Sequence, residues 1–103
     1  MTRFRKTLLL PGALLIGALL SACAGAPMQQ MYDATQAVRA ADKAGAAQYA
    51  PELLAEAQAH LKTAKASMHS QDYRVARDEA ELAREKAIEA RRKAEAAAPP
   101  RQP

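Results

Sequence analysis

The sequence has a single cysteine, Cys23, no tryptophan and only four glycines in 103 residues. A lone cysteine excludes a C-x-x-C pair, and the chain contains neither a G-x-S-x-G motif nor a glycine-rich phosphate loop. Large apolar side chains are scarce after residue 22, so a core built from them would supply only about 3–5 kcal/mol. These absences argue against an enzyme and against a cofactor site.

The first 22 residues have the organisation of a secretory signal. Arg3, Arg5 and Lys6 precede an apolar run from residue 8 to residue 20. A membrane-spanning helix needs about 20 apolar residues, so the run is too short to be a comfortable span. The segment is therefore predicted to be a cleaved signal peptide.

The segment closes with Leu20-Ser21-Ala22-Cys23, which resembles the bacterial lipobox cut by signal peptidase II. The resemblance implies cleavage between Ala22 and Cys23, followed by diacylglyceryl and N-acyl modification of Cys23. The alternative is a plain secretory signal, or an uncleaved anchor, with an incidental cysteine. An Asp after the lipidated residue commonly retains a lipoprotein in the inner membrane. Ala24 occupies that position, so we expect the outer membrane, periplasmic face.

The charge balance does not indicate a nucleic-acid partner. The chain has 15 basic and 11 acidic residues, and three of the basic residues belong to the predicted signal. The remainder has twelve basic against eleven acidic residues, which leaves no strong positive field to attract a polyanion.

Apolar residues recur at alternating spacings of three and four along three segments, as on one face of an α-helix. The first helix is predicted from Pro27 or Met28 to near Gly45, with a face of Met31, Ala34, Val38, Ala41 and Gly45. The second begins at Pro51, ends near His69, and has a face of Leu54, Ala57, Leu61, Ala64 and Met68. The third has the longest face, made of Tyr73, Ala76, Ala80, Ala83, Ala87, Ala90, Ala94 and Ala97.

Short links separate these segments. We expect Ala50 to cap the second helix, with Pro51 in its first position and Tyr49 packed against Leu54. Residues 70–72 form a polar break, and a side-chain oxygen from Ser70 or Asp72 is expected to cap the third helix.

The predicted fold is all-α and alanine-rich, an antiparallel helical hairpin or a small three-helix bundle or coiled coil. The helical domain covers residues 28–97, after a signal peptide at 1–22 and a lipidated tether at 23–27. Residues 98–103 are proline-rich and are expected to form a disordered tail. A self-contained bundle is favoured over an intermolecular coiled coil, and the packing of the first helix is left open.

Tyr49-Ala50-Pro51-Glu52, the Ala- and Leu-rich helix after it, and Asp72-Tyr73 followed by Ala76, Ala80 and Ala83 resemble the bacterial domain-of-unknown-function family 4398. The resemblance covers roughly residues 27–97. It implies a small helical envelope lipoprotein, often associated with outer-membrane proteins of the OmpA type, with no assigned reaction. Asp72-Tyr73-x-x-Ala76 also resembles the opening of a tetratricopeptide repeat, but an array needs about three units and one is found.

Three groups of polar residues are candidates for chemistry. His60, Met68 and His69 contain metal-ligand types, but the two histidines lie nine apart and do not share a helical face. Arg91-Arg92-Lys93 could contact lipid headgroups or an acidic partner. The alternative, which is favoured, is a cationic last turn that complements the helix dipole. The third group is an acidic series that alternates with Arg and Lys: Asp78, Glu79, Glu81, Glu85 and Glu89. It is predicted to be a solvated, ion-paired face, with Glu89 and Lys93 as one i,i+4 pair.

The leading hypothesis is a non-enzymatic envelope lipoprotein that presents an alanine-rich helical surface to a protein partner, an OmpA-type protein being one candidate. The alternative is a self-assembling coiled-coil cell-wall spacer or peptidoglycan-associated lipoprotein, with homo-oligomers. The small trimeric lipoprotein of enteric bacteria is joined to peptidoglycan through a terminal lysine. The sequence here ends in Arg101-Gln102-Pro103, so covalent attachment is not expected. A small-ligand or metal sensor is a third class.

Overall fold

The computed structural model describes residues 25–100, which form four helices and contain no strand. Helix α1 spans Met28–Lys43, α2 spans Ala46–Tyr49, α3 spans Pro51–His69 and α4 spans Tyr73–Ala97. The predicted all-α fold is confirmed as a small helical bundle. The three long helices begin and end within about two residues of the predicted positions. The single turn of α2 was not predicted.

Helix α1 ends at Lys43, two residues before Gly45, whose backbone has a φ of 92°. This left-handed region is open to glycine and costly for other residues. The Gly45 amide donates to the Asp42 carbonyl at 3.0 Å. Ala50 then occupies the N-cap position of α3 with Pro51 next. The predicted positions of Ala50 and Pro51 are confirmed, and Tyr49 lies against the cluster that contains Leu54.

The link between α3 and α4 is a Schellman motif in which Gln71 replaces the usual glycine. Gln71 has a φ of 62°. Its amide donates to the Met68 carbonyl at 3.1 Å, and the Asp72 amide donates to the Ser67 carbonyl at 2.8 Å. These two bonds are the pair that defines the motif, and they satisfy carbonyls at the end of α3.

The predicted side-chain cap of α4 is wrong. Asp72 lies at the N-cap position but makes no side-chain capping bond, and the Ser70 hydroxyl instead donates back to the Ala66 carbonyl at 3.1 Å. The reason lies in the backbone: Asp72 has a ψ of 73° rather than the extended conformation typical of a capping residue.

Helix α4 is the element on which the others pack. It runs antiparallel to α3, because the first half of α3 shares a cluster with the second half of α4. It runs parallel to α1, because the first half of α1 shares a cluster with the first half of α4. Ala34 of α1 shares a cluster with Ala80 and Ala83 of α4, whereas Ala41 shares one with Ala90 and Ala94. The start of α1 and the α3–α4 turn therefore lie at one end of the bundle, which we call the near end. The α1–α3 link and the end of α4 lie at the other, the far end.

Two clusters form the core, and both consist almost entirely of alanine. The far-end cluster contains Ala41, Ala46, Ala50, Leu54, Ala57, Ala87, Ala90 and Ala94. The near-end cluster contains Ala34, Leu61, Ala64, Ala80 and Ala83, with Met31 and Val38 packed against it. Small side chains let helix backbones approach closely.

The alanine stripe of α4 faces the interior of the bundle. Six of its predicted members are buried, while Tyr73 is half-buried and Ala97 is exposed; the buried ones are Ala76, Ala80, Ala83, Ala87, Ala90 and Ala94. The prediction of one continuous helical face is confirmed. Within the bundle, α1 and α3 cover this stripe.

Within residues 25–100, no helix is both long enough and apolar enough to cross a bilayer.

Candidate functional site

Cys23 and the cleavage point after Ala22 lie outside the described residues, so acylation stays a prediction. The described chain begins at Gly25, and α1 begins at Met28. Met28 is five positions after Cys23. A chain extends at most about 3.3–3.6 Å per residue, so this segment spans no more than about 18 Å.

A histidine–carboxylate pair joins α3 to α4 in the middle of the hairpin. His60 Nδ1 lies 2.6 Å from Glu79 Oε2, with the two side chains 31% and 24% exposed. A carboxylate oxygen can only accept, so Nδ1 donates the hydrogen. A second contact joins the same helices further from the α3–α4 turn, where Lys86 Nζ lies 3.4 Å from Glu56 Oε2. Both pairs bridge two helices whose shared core is mostly alanine.

The candidate metal residues do not assemble into a site. Within residues 25–100 there is no group of three His, Cys, Asp or Glu side chains placed to hold an ion. His60 is engaged with Glu79, and His69 is exposed in the last turn of α3. A cationic side chain is favourable at that end of a helix dipole.

The acidic series of α4 lies on the surface, where only Glu79 is partly covered and Asp78, Glu81, Glu85 and Glu89 are exposed. Acid–base work needs carboxylates in an enclosed cleft. None of the described charged or polar side chains is buried. The arrangement is therefore that of a solvated charged surface.

The predicted ion pairing within α4 needs one correction. Across residues 25–100, Glu89 and Lys93 are not within salt-bridge distance; the i,i+4 pair that forms is Arg91 Nε with Glu95 Oε1 at 2.7 Å. The other two ion pairs join α4 to α3, so the acidic series forms fewer ion pairs within α4 than predicted.

Three open grooves mark the described surface. One of about 520 Å³ lies at the far end between α1 and α4, lined by Ala40, Lys43, Ala44, Arg91, Glu95, Ala98, Pro99 and Pro100. A second of about 290 Å³ lies nearer the start of α1, lined by Gln30, Asp33, Ala80, Glu81, Arg84 and Glu85. A third of about 220 Å³ lies beside the α1–α3 link, lined by Tyr49, Ala50, Pro51, Glu52, Leu53 and Lys93. All three grooves are shallow and mix charge with alanine.

The sequence interpretation missed a second alanine stripe, on the outer face of α3. Ala55, Ala59 and Ala66 are all exposed, at spacings of four and seven that place them on one side of the helix, and Lys62 lies between them. The same helix buries a different face, so the two stripes are distinct. The apolar face predicted for this helix, with Leu54 and Leu61, is the one that the bundle buries.

The His60–Glu79 contact was also missed, although the sequence held a signal for it. In an antiparallel hairpin, residues at similar distances before and after the turn lie opposite each other. Glu56 and Lys86 are equally far from Gln71, and His60 and Glu79 are nearly so. Each of these four residues is also followed directly in the sequence by a buried alanine or leucine.

A family model for a domain of unknown function, DUF4398, matches residues 29–101. The chain belongs to the DUF4398 family. The match runs from the second residue of α1 through the end of α4, so the family's domain and the bundle coincide. No curated protein and no solved structure matches the chain.

Proposed function

We propose that this DUF4398 protein is a non-enzymatic envelope lipoprotein, anchored in the outer membrane through acylated Cys23 on the periplasmic side. The bundle acts as an adaptor that offers a helical surface to a protein partner in the envelope, an OmpA-type protein being the first candidate. The observation that carries the proposal is the Leu20-Ser21-Ala22-Cys23 sequence, five residues ahead of a bundle that begins at Met28.

The anchor part rests on the chemistry of acyl chains. One chain holds a protein only marginally, whereas two or more hold it firmly, at about 0.8 kcal/mol per buried CH₂. The two modifications expected at Cys23 supply more than one chain. A tether of at most about 18 Å keeps the bundle beside the membrane that carries it.

The adaptor part rests on what the bundle leaves uncovered. The α4 stripe is used internally, so the surface offered to a partner is the outer stripe of α3, with Ala55, Ala59 and Ala66. Small exposed residues permit another helix to approach closely. Lys62 lies within this stripe and can pair with an acidic group of the partner.

The anchor is tested with Cys23→Ser in the producing cell. The wild-type chain is expected in the membrane fraction. Mass spectrometry should show an acylated N-terminal peptide that begins at residue 23. The variant is expected to lose the acyl mass and to leave the membrane fraction. Membrane retention of Cys23→Ser with an unchanged N-terminus would refute the anchor.

The adaptor surface is tested by in-cell photo-crosslinking from Ala59, with Glu85 on the exposed side of α4 as the matched control. One dominant envelope-protein adduct from Ala59, absent from Glu85, supports the proposal and identifies the partner. Adducts to the chain itself would instead favour a self-assembling coiled coil. Equal adducts from both positions would contradict the assignment of the surface.

One observation favours the cell-wall alternative. Arg91, Arg92 and Lys93 are exposed near the far end, away from the start of α1. A cationic group there suits the carboxylates of peptidoglycan. Sedimentation with purified sacculi, abolished when these three residues are replaced by Gln, would move this function ahead of the adaptor.

A further inference from the structure

The first turn of α1 carries an exposed apolar pair. Met28 is 65% exposed and Tyr32 is 61% exposed, and these are the two most exposed large apolar side chains in residues 25–100. Their spacing of four residues places them side by side on the outer face of the helix. Nothing in the bundle covers them, although Met31, between them in sequence, packs against the near-end cluster.

The position of this pair is restricted by the tether. Met28 can lie no more than about 18 Å from Cys23. Headgroup layers are roughly 5–8 Å thick on each side of a hydrocarbon core of about 30 Å. The first turn of α1 is therefore held within about 18 Å of the lipid surface whenever Cys23 is acylated.

The charge pattern fits a lipid neighbour. No charged residue occurs from Cys23 to Tyr32, and the first charge after the cysteine is Asp33. The first turn of α1 likewise contains no acidic residue. Tyrosine is enriched where membranes meet water, because its ring is apolar and its hydroxyl stays hydrated.

We propose that Met28 and Tyr32 form a lipid-contacting patch that docks the near end of the bundle onto the phospholipid surface. This inference rests on the anchor proposed above. The patch would give the bundle a fixed orientation, with the α3–α4 turn towards the lipid and the α1–α3 link away from it.

The test uses the absence of tryptophan from the chain. The Tyr32→Trp variant of the acylated protein is placed in vesicles of phosphatidylethanolamine and phosphatidylglycerol. Arg39→Trp is the matched control: Arg39 is exposed on the same side of α1, about 10 Å further along the helix. Flotation reports the anchor, while emission wavelength and quenching by acyl-brominated lipid report the contact.

The expected result is blue-shifted, quenched emission from Tyr32→Trp and water-like, unquenched emission from Arg39→Trp. The shift should also disappear when Cys23→Ser is combined with Tyr32→Trp. Protein that floats while Tyr32→Trp emits as in water overturns the patch and leaves the anchor standing. Equal shifts at both positions overturn its restriction to the first turn. Protein that does not float overturns the anchor and the patch together.

Discussion

Replacing Ala83 by leucine tests whether the bundle depends on close backbone approach. Ala83 is fully buried and shares the near-end cluster with Ala34 of α1 and with Leu61 and Ala64 of α3. A leucine there adds three carbon atoms between helices that meet through alanine. The neighbours cannot yield without separating the helix backbones.

The magnitude follows from the size of the core. Overpacking a filled site costs about 1–3 kcal/mol, and a core of this kind supplies about 3–5 kcal/mol. The substitution therefore removes from a fifth of the stability to more than half. For a domain of 60–100 residues, 1 kcal/mol shifts the Tm by about 4–8 °C, so the Tm is expected to fall by roughly 5–20 °C.

The assay is thermal unfolding of the chain from residue 24 onward, followed by far-ultraviolet circular dichroism. Ala59→Leu is the matched control, since Ala59 is exposed on α3 and leucine has a helix propensity close to that of alanine. The control is expected to change stability by no more than about 0.5 kcal/mol. An Ala83→Leu protein as stable as the control, or more stable than wild type, would refute close packing at this site.

Three further substitution experiments address the turns and the α3–α4 contact. Gln71→Gly is expected to raise stability by up to about 1 kcal/mol, because glycine adopts a positive φ without the strain that a side chain imposes; an unchanged or lower Tm would contradict this. Gly45→Ala is expected to lower stability by about 1–2 kcal/mol for the converse reason, since its φ is 92°; a urea midpoint equal to wild type would argue against it. A double-mutant cycle with His60→Ala and Glu79→Ala is expected to give a coupling of about 0.5–1.5 kcal/mol, and a coupling near zero would show that the pair does not hold the helices together.

Helix positions could be predicted because the signals were local. Pro51 set the start of α3 and Gly45 the end of α1, and both act through backbone conformation alone. The alternation of three and four along α4 fixed its buried face, since that face requires only small residues at a helical period. Hydrophobic periodicity could not predict α2, because its four residues are too few to show a period.

Contacts between helices were less accessible. The periodicity gave the buried face of each helix, but it could not give which residues of different helices meet. The cap of α4 was predicted wrongly because Asp72 has a suitable side chain but a ψ of 73°, which is not the extended conformation of a capping residue. The Schellman motif depends on Gln71 adopting a positive φ, which sequence preference opposes.

Each core cluster contains residues from all three long helices, and this has a consequence for how the bundle unfolds. The far-end cluster joins Ala41, Leu54 and Ala90, and the near-end cluster joins Ala34 and Leu61 to α4. Because both clusters draw on all three long helices, loss of α1 would expose both clusters at once. We therefore expect unfolding in a single step, with coincident transitions for helix content and for tyrosine signals from the two ends of the bundle. A tyrosine transition that precedes the loss of helix would show that α1 leaves before the α3–α4 hairpin melts.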